Sequence, residues 1–353
     1  MTMSESVHGK CGAPRFDRRR FLMAAAVMPW ASALTGVPVT PKTHVFGQLP
    51  APGTVERVFA AGAPAAVLAY VLGPEKLLGW PMQLSLEARN LLAPGTRDKP
   101  FIGHLTGRGS TMPMERLLAL KPDVILDAGT VDATYLSTAE QVHARTVIPY
   151  VLIEGRLADT PYQLREAGRL IGVAERGEDL AGYAEKTLIS CATAEVATQP
   201  SVYLARGADG LETAVRGSVN GEFIEAACGV NVAASFVGGG NLVRVSMEQI
   251  MAWAPDFIVT QHPEFYAYAR QDPLWGGLQA LKNKNLLLAP HLPFGWLDGP
   301  PGVNRLIGVA WFFSQMHRTS TRDYEIERVA EFHRLFYGFS PEASYLAHVL
   351  GLK

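Results

Sequence analysis

One stretch is written twice in this chain, and that repetition constrains the fold more than any other feature. Met114-Glu115-Arg116-Leu117-Leu118-Ala119-Leu120-Lys121-Pro122-Asp123-Val124-Ile125-Leu126 recurs as Met247-Glu248-Gln249-Ile250-Met251-Ala252-Trp253-Ala254-Pro255-Asp256-Phe257-Ile258-Val259, with six identities in thirteen positions. Each copy predicts a short amphipathic helix stopped by Pro-Asp and followed by a buried strand. Proline lacks the amide hydrogen and restricts the residue before it, so it ends the helix, and the apolar run that follows has strand character. A unit that returns once, at this distance, is too widely spaced for a solenoid and fits two similar α/β lobes with a cleft between them.

The rest of the chain fits that plan. Its 353 residues suffice for two domains, and 48% apolar with 18% charged residues describes a globular protein. The net charge of -1 becomes -4 without residues 1–33, leaving 27 basic against 31 acidic residues, which points to no nucleic-acid partner. Cys11, Cys191 and Cys228 are too few for a disulfide scaffold and contain no Cys-x-x-Cys pair. Cys191 and Cys228 could pair, but the sequence leaves this open.

Residues 1–33 read as an export signal. Asp17-Arg18-Arg19-Arg20-Phe21-Leu22 precedes an apolar run to Trp30 that is too short to span a membrane, then Ala31-Ser32-Ala33 suits a signal peptidase. The paired arginines resemble the twin-arginine signal, with departures at Asp17 and Met23. The expected product is a soluble periplasmic protein cleaved near Ala33. Residues 34–54 read as a loose leader. Strands are predicted at Arg57–Ala61, Leu77–Trp80, Phe101–Gly103, Val124–Ala128, Val147–Ile153, Ser201–Ala205 and Leu286–Ala289. Helical stretches lie between them and at Val303–Met316, Ile326–Phe336 and Pro341–Leu350, and the alternation predicts parallel sheets.

Ligands of open α/β sheets bind beyond the carboxyl ends of the strands. The residues there include Trp80, Met82, His104, Arg108, Tyr135 and Arg156 in the first lobe. The second offers Arg206, His262, Phe265, Tyr266, His291, Phe294 and Trp296. Arginine forks bind anionic oxygens and aromatics stack on flat ligands, so the set suits a bulky, partly aromatic anion. His262, His291 and Glu154 are chemically able to hold a divalent cation but lack a close His spacing, and no metal is assigned. Gly107-Arg108-Gly109-Ser110-Thr111-Met112 is an incomplete dinucleotide fingerprint, and no nucleophile elbow, Walker loop or His-Glu-x-x-His helix occurs. No catalytic residue and no cofactor are therefore expected. Glu115 and Glu248 are matched carboxylates in the first turns of the repeated helices, where an acid also suits the helix dipole.

The two copies of Met-Glu-x-Ile/Leu running to Pro-Asp, supported by Arg57-Val58-Phe59-Ala60 and Gly229-Val230-Asn231-Val232, resemble the class III periplasmic solute-binding proteins of ABC importers. That family includes receptors for ferric siderophores, haem, cobalamin and some oxyanions, and the likeness covers about residues 55–318. It implies two Rossmann-like lobes with parallel sheets joined by one long helix, a role that Glu178–Val196 fits. The chain then divides into signal (1–33), leader (34–54), N-terminal lobe (55–157), linker helix region (158–197), C-terminal lobe (198–318) and C-terminal helices (319–353). The resemblance also implies that Glu115 and Glu248 dock onto arginines of a permease dimer. A monomer carrying a metal complex, a ferric siderophore first, is the expectation, with cobalamin, haem or molybdate as alternatives of the same class. A metal-handling enzyme such as a chelatase is the alternative of another class.

Overall fold

The computed structural model describes residues 42–107, 109–236, 241–319 and 321–350. The export signal, Arg108 and the Gly238-Gly239-Gly240 loop lie outside the described residues. The strands are β1 Thr43–Phe46, β2 Val58–Ala60, β3 Val124–Gly129, β4 Tyr150–Glu154, β5 Ser201–Leu204, β6 Glu212–Ala214, β7 Val230–Asn231, β8 Leu242–Arg244, β9 Phe257–Thr260 and β10 Leu286–Leu288. The helices before the middle of the chain are α1 Ala63–Leu72, α2 Leu86–Asn90, α3 Met114–Ala119, α4 Ala133–Thr146, α5 Thr160–Leu170 and α6 Ala174–Thr193. Those after it are α7 Glu222–Ala226, α8 Met247–Trp253, α9 Pro263–Ala269, α10 Pro273–Gly276, α11 Gln279–Lys282, α12 Arg305–His317, α13 Arg322–Phe332 and α14 Ala343–Val349, with a π turn at His333–Tyr337.

Two sheets form, one per lobe. The first has the order β1-β4-β3-β2, with β2, β3 and β4 parallel; the second, β10-β9-β5-β7, is parallel throughout. All six residues of β3 are buried, as a central strand covered on both faces must be. A short antiparallel pair, β6 with β8, extends the second lobe.

The repeat folds as the same local object twice. α3 leads into β3 and α8 into β9, and between helix and proline Lys121 (φ 47°) and Ala254 (φ 44°) both adopt the left-handed conformation that closes a helix end. Each Pro-Asp then ties in the neighbouring parallel strand. Asp123 Oδ2 accepts from the amides of Glu56 and Arg57, both at 2.8 Å, and Asp256 Oδ2 accepts from the Ser201 amide at 2.8 Å.

Side-chain alternation along the strands separates three apolar layers. Phe59, Ile125, Tyr150 and Leu152 face α3 and α4, while Tyr203, Ile258 and Leu286 face Trp275 and the α8 side. Between them, Val58, Ala60, Leu126 and Val151 of the first sheet and Val202, Leu204 and Val259 of the second belong to one core. It runs continuously through α1, α5, α6 and α12. The long α6, twenty residues, is part of that shared layer.

Two details differ from the sequence-based expectations, and two concern what the sequence left open. Residues 43–46, read as loose leader, form β1, which pairs antiparallel with β4. A four-residue, half-exposed edge strand carries too little pattern to be seen. The runs Leu77–Trp80 and Phe101–Gly103 shrink to isolated bridges, Val58 with Leu77 and Trp80 with Phe101. The C-terminal helices turn back to the first lobe, where the Tyr70 hydroxyl donates to the Tyr337 carbonyl at 2.7 Å. Cys191 is a buried free thiol, pushed up to about 11 by burial, and so is not joined to Cys228.

Candidate functional site

The carboxyl ends of three parallel strands converge in the second lobe on Asp298. Arg206 follows β5, Gln261 follows β9, and the 290–304 loop that carries Asp298 follows β10. The Asp298 carboxylate is buried and accepts from Gln261 Nε2 (2.6 Å) and Asn220 Nδ2 (3.0 Å). Arg206 Nε lies 2.9 Å from Asp298 Oδ2, and its Nη1 lies 3.3 Å from Glu212. These are ion pairs by distance, but neither nitrogen points along a hydrogen bond, so both donors lack an aligned acceptor. Gln261 Oε1 in turn accepts from the Leu297 amide at 2.8 Å. A Cβ at Gly295 would stand 2.4 Å from that oxygen and 2.9 Å from the Gly299 carbonyl oxygen, so glycine suits this position.

In the first lobe the corresponding edge centres on Asp127 in β3. The Tyr150 hydroxyl donates to it at 2.8 Å and Thr106 at 3.2 Å, and the Ala128 amide also donates to it. Burial pushes the carboxyl up from its ordinary value to about 6, against those three bonds. Tyr135, half-buried at the start of α4, is itself raised by burial and by the nearby Asp127 and Asp132 charges.

The lobes meet at Glu222, at the start of α7. Its carboxylate takes Arg156 Nε at 2.5 Å, the Leu157 amide at 2.7 Å and Arg305 Nη1 at 3.2 Å. Arg305 is fully buried at the head of α12 and also donates to the carbonyls of Val219 (2.7 Å) and Gly155 (2.6 Å). One guanidinium thus holds the end of β4 to the second lobe. Beside it opens a cavity of about 480 Å³, lined from both lobes by residues that include Arg156, Leu157, Arg216, Ser218, Glu222 and Asn231.

The residues expected at the cleft are distributed unevenly. Arg156 and Arg206 reach the lobe junction and the second-lobe edge as described. His104 is half-buried, its Nδ1 3.3 Å from the Pro81 carbonyl and 3.1 Å from Thr111 Oγ1. His262 is half-buried where α9 begins and His291 is exposed. Among the described residues no group of three or more His, Cys, Asp or Glu is arranged to hold a metal ion. The aromatic candidates are where the structure departs from expectation. Trp80 and Phe294, from different lobes, meet at 5.8 Å in a buried knot with Tyr70 and Tyr337. Phe265 packs at 4.7 Å on Trp275, and Trp296 is fully buried against Trp311. These four rings have core neighbours and offer no face to a ligand in this conformation. Glu115 and Glu248 are both exposed on α3 and α8.

Sequence reasoning did not single out Asp127, Glu222, Gln261 or Arg305. An arginine heading an otherwise apolar helix pattern was the one available signal for Arg305.

Comparison with known proteins agrees with this architecture. The family model described as "Periplasmic binding protein" matches residues 94–291, more than half of the chain. The chain belongs to the periplasmic binding protein family. Molybdate-binding protein MolA of Haemophilus influenzae is 26% identical over 288 residues, covering 74% of this chain and 78% of that protein. An ABC transporter solute-binding protein from Sulfurospirillum deleyianum is 27% identical, with a TM-score of 0.76 over 84% of this chain and 94% of the other. The molybdate-bound structure of MolA is 22% identical with a TM-score of 0.64, over 83% and 96%, and shows the fold alone. This two-lobed family comprises periplasmic transport receptors rather than enzymes, so the chelatase alternative falls away. Its relatives are components of ABC transporters, with small ligands and permease partners.

Proposed function

We propose that this chain captures a small tetrahedral oxyanion of the molybdate class between its lobes and delivers it to the permease of an ABC importer. The observation that carries this reading is the burial of Trp80, Phe265, Phe294 and Trp296, which removes the flat surfaces a haem or an aryl siderophore would stack on. What remains at the strand ends is compact and polar. Arg206 at the carboxyl end of β5, its Nε and Nη1 turned to Asp298 and Glu212, is the leading anion ligand, and Arg156, His104, Tyr135, His262 and His291 complete the candidate set. The name of the molybdate-binding relative supports the same choice. The ferric siderophore first expected from the resemblance becomes the second arm of the test. Export through the twin-arginine-like signal, lobe boundaries at 55–157 and 198–318, and docking through Glu115 and Glu248 belong to the same proposal.

Isothermal titration of residues 34–353 with molybdate, tungstate, sulfate, phosphate, haem and a ferric hydroxamate tests it. Saturable binding of molybdate and tungstate is expected, weakened at least about tenfold by Arg206→Gln through loss of a charge-assisted contact. Saturable binding of haem or the hydroxamate, with the oxyanions silent, overturns it.

A further inference from the structure

The cavity beside the lobe junction runs away from the strand-end cleft. Gln199 and Val230, which line it, stand at the amino ends of β5 and β7, at the opposite end of the second sheet from Arg206 and Gln261. Of the described cleft candidates only Arg156 lines it. Its walls come from the 156–158 segment after β4, from the linker helix α6 through Leu188 and Ala192, and from the second lobe between Val215 and Ala234. Most of its polar groups are already spent. Asn231 donates to the Ala214 carbonyl at 2.9 Å and accepts from the Ala233 amide at 3.0 Å, and Ser218 donates to Asn220 Oδ1 at 3.3 Å. Glu222 is shared by Arg156, Arg305 and the Leu157 amide. Two guanidiniums keep donors to give. Arg156 meets Glu222 through Nε, and its terminal nitrogens donate to no described residue. Arg216 makes no hydrogen bond or ion pair among the described residues and has Glu225 within electrostatic reach.

We infer that this flank cavity is a second ligand site, separate from the cargo cleft, and that it takes a small organic anion with one carboxylate on an apolar body, clamping the lobes through Arg156 and Arg216. The volume of about 480 Å³ is that of a small-molecule pocket. Charge selects the head group: Arg156, Arg216 and Arg305 set three positive charges against the two of Glu222 and Glu225, a surplus that favours an anion. Guanidinium forks match a carboxylate, and here they approach it from opposite lobes. The apolar body lies along Leu157, Leu188 and Ala192, with Val230, 46% exposed, as the outer wall. These side chains gain by leaving water against it. A bare oxyanion has no apolar surface to bury on that wall, and an amine meets two guanidiniums, so the lining disfavours both. The inference rests on this cavity and not on the identity of the cargo.

Octanoate is the probe, titrated by calorimetry into residues 34–353 with no oxyanion present. Saturable binding with a Kd of about a millimolar or tighter is expected. Acetate, which lacks the apolar body, and octylamine, which reverses the charge, should stay silent. Arg216→Gln should weaken octanoate binding about tenfold through loss of a charge-assisted contact. Val230→Asp, at an exposed position that leaves the core alone, should weaken it at least about fivefold by setting an acid against the chain. Arg206→Gln, in the cleft, should leave octanoate affinity unchanged. Spin labels at the exposed positions of Leu118 and Met251, one on each lobe, should report a narrower distribution of interlobe distances once octanoate is bound. Octanoate binding that is lost with Arg206→Gln and kept with Arg216→Gln and Val230→Asp overturns the separate site. Acetate or octylamine binding as tightly as octanoate overturns the ligand class, and an unaltered distance distribution overturns the clamp. Silence of octanoate at millimolar concentration overturns the inference as a whole.

Discussion

Asp127 makes the fold's stability depend on pH in an unusual direction. Its carboxyl titrates near 6 rather than near 3.8, because burial outweighs the bonds from Tyr150, Thr106 and the Ala128 amide. Between those two values the folded protein holds a proton that the unfolded chain has released. Stability therefore falls as pH rises through this window, and the cost is fully present above about 6. At about 1.4 kcal/mol for each tenfold change in proton affinity, the cost amounts to about 3 kcal/mol. Asp127→Asn removes the ionisation while preserving shape, at the loss of one acceptor oxygen for the Tyr150 and Thr106 hydroxyls. Urea denaturation of both proteins at pH 3.5, 4.5, 5.5, 6.5 and 7.5 checks the sign, since every other titrating group cancels in the difference. The stability of the variant relative to the parent should rise by about 3 kcal/mol between the acid and neutral ends. A difference that stays flat with pH refutes the argument, because it means that Asp127 ionises in the folded state as freely as in the unfolded chain.

Three further perturbations probe the frame. Glu222→Gln leaves the buried Arg305 guanidinium without its carboxylate and should cost about 3 kcal/mol in chemical denaturation, breaking one side of a buried pair; a loss under about 0.5 kcal/mol would mean that the lobes do not depend on this contact. His333, buried and lowered to about 4 by desolvation, stays neutral while the unfolded chain protonates, so its contribution is lost as pH falls from about 6.5 toward 4. His333→Gln should flatten that acid-side loss in the same urea series, opposite in sign to the effect of Asp127→Asn. Gly308 on α12 lies where a Cβ would meet the Trp296 carbonyl oxygen at 1.8 Å. Gly308→Ala should lower the melting temperature and cost about 1–3 kcal/mol by overpacking, and an unchanged melting temperature would show that α12 can shift away freely.

Much of the frame was legible because it is local. The repeated helix, left-handed turn, Pro-Asp and strand depend on residues within one short segment, and α3–β3 and α8–β9 form where that pattern lies. The long helix at α6 and the parallel strands carry periodicity over enough residues to be read. β1 was missed because a short edge strand has one partner and no alternation to display, and the strand at Leu77–Trp80 was overcalled because an apolar run does not reveal whether a neighbour is there to pair with.

The candidate site was legible only in outline. The sequence by itself determined that there are two related lobes, that polar and aromatic residues follow their strands, and that Glu115 and Glu248 occupy equivalent places. Only the tertiary structure decided which of those residues are buried against core neighbours and which stand open at the strand ends. Phe294 and Trp80 are far apart in the chain, yet each is the other's packing partner, and a ring with such a partner gains more by leaving water than by waiting for a ligand. Arg305 and Glu222 became the lobe junction for the converse reason. A charge taken into a core must find its counter-charge and acceptors there, and these came from β4, α7 and α12, elements that no local pattern relates to one another.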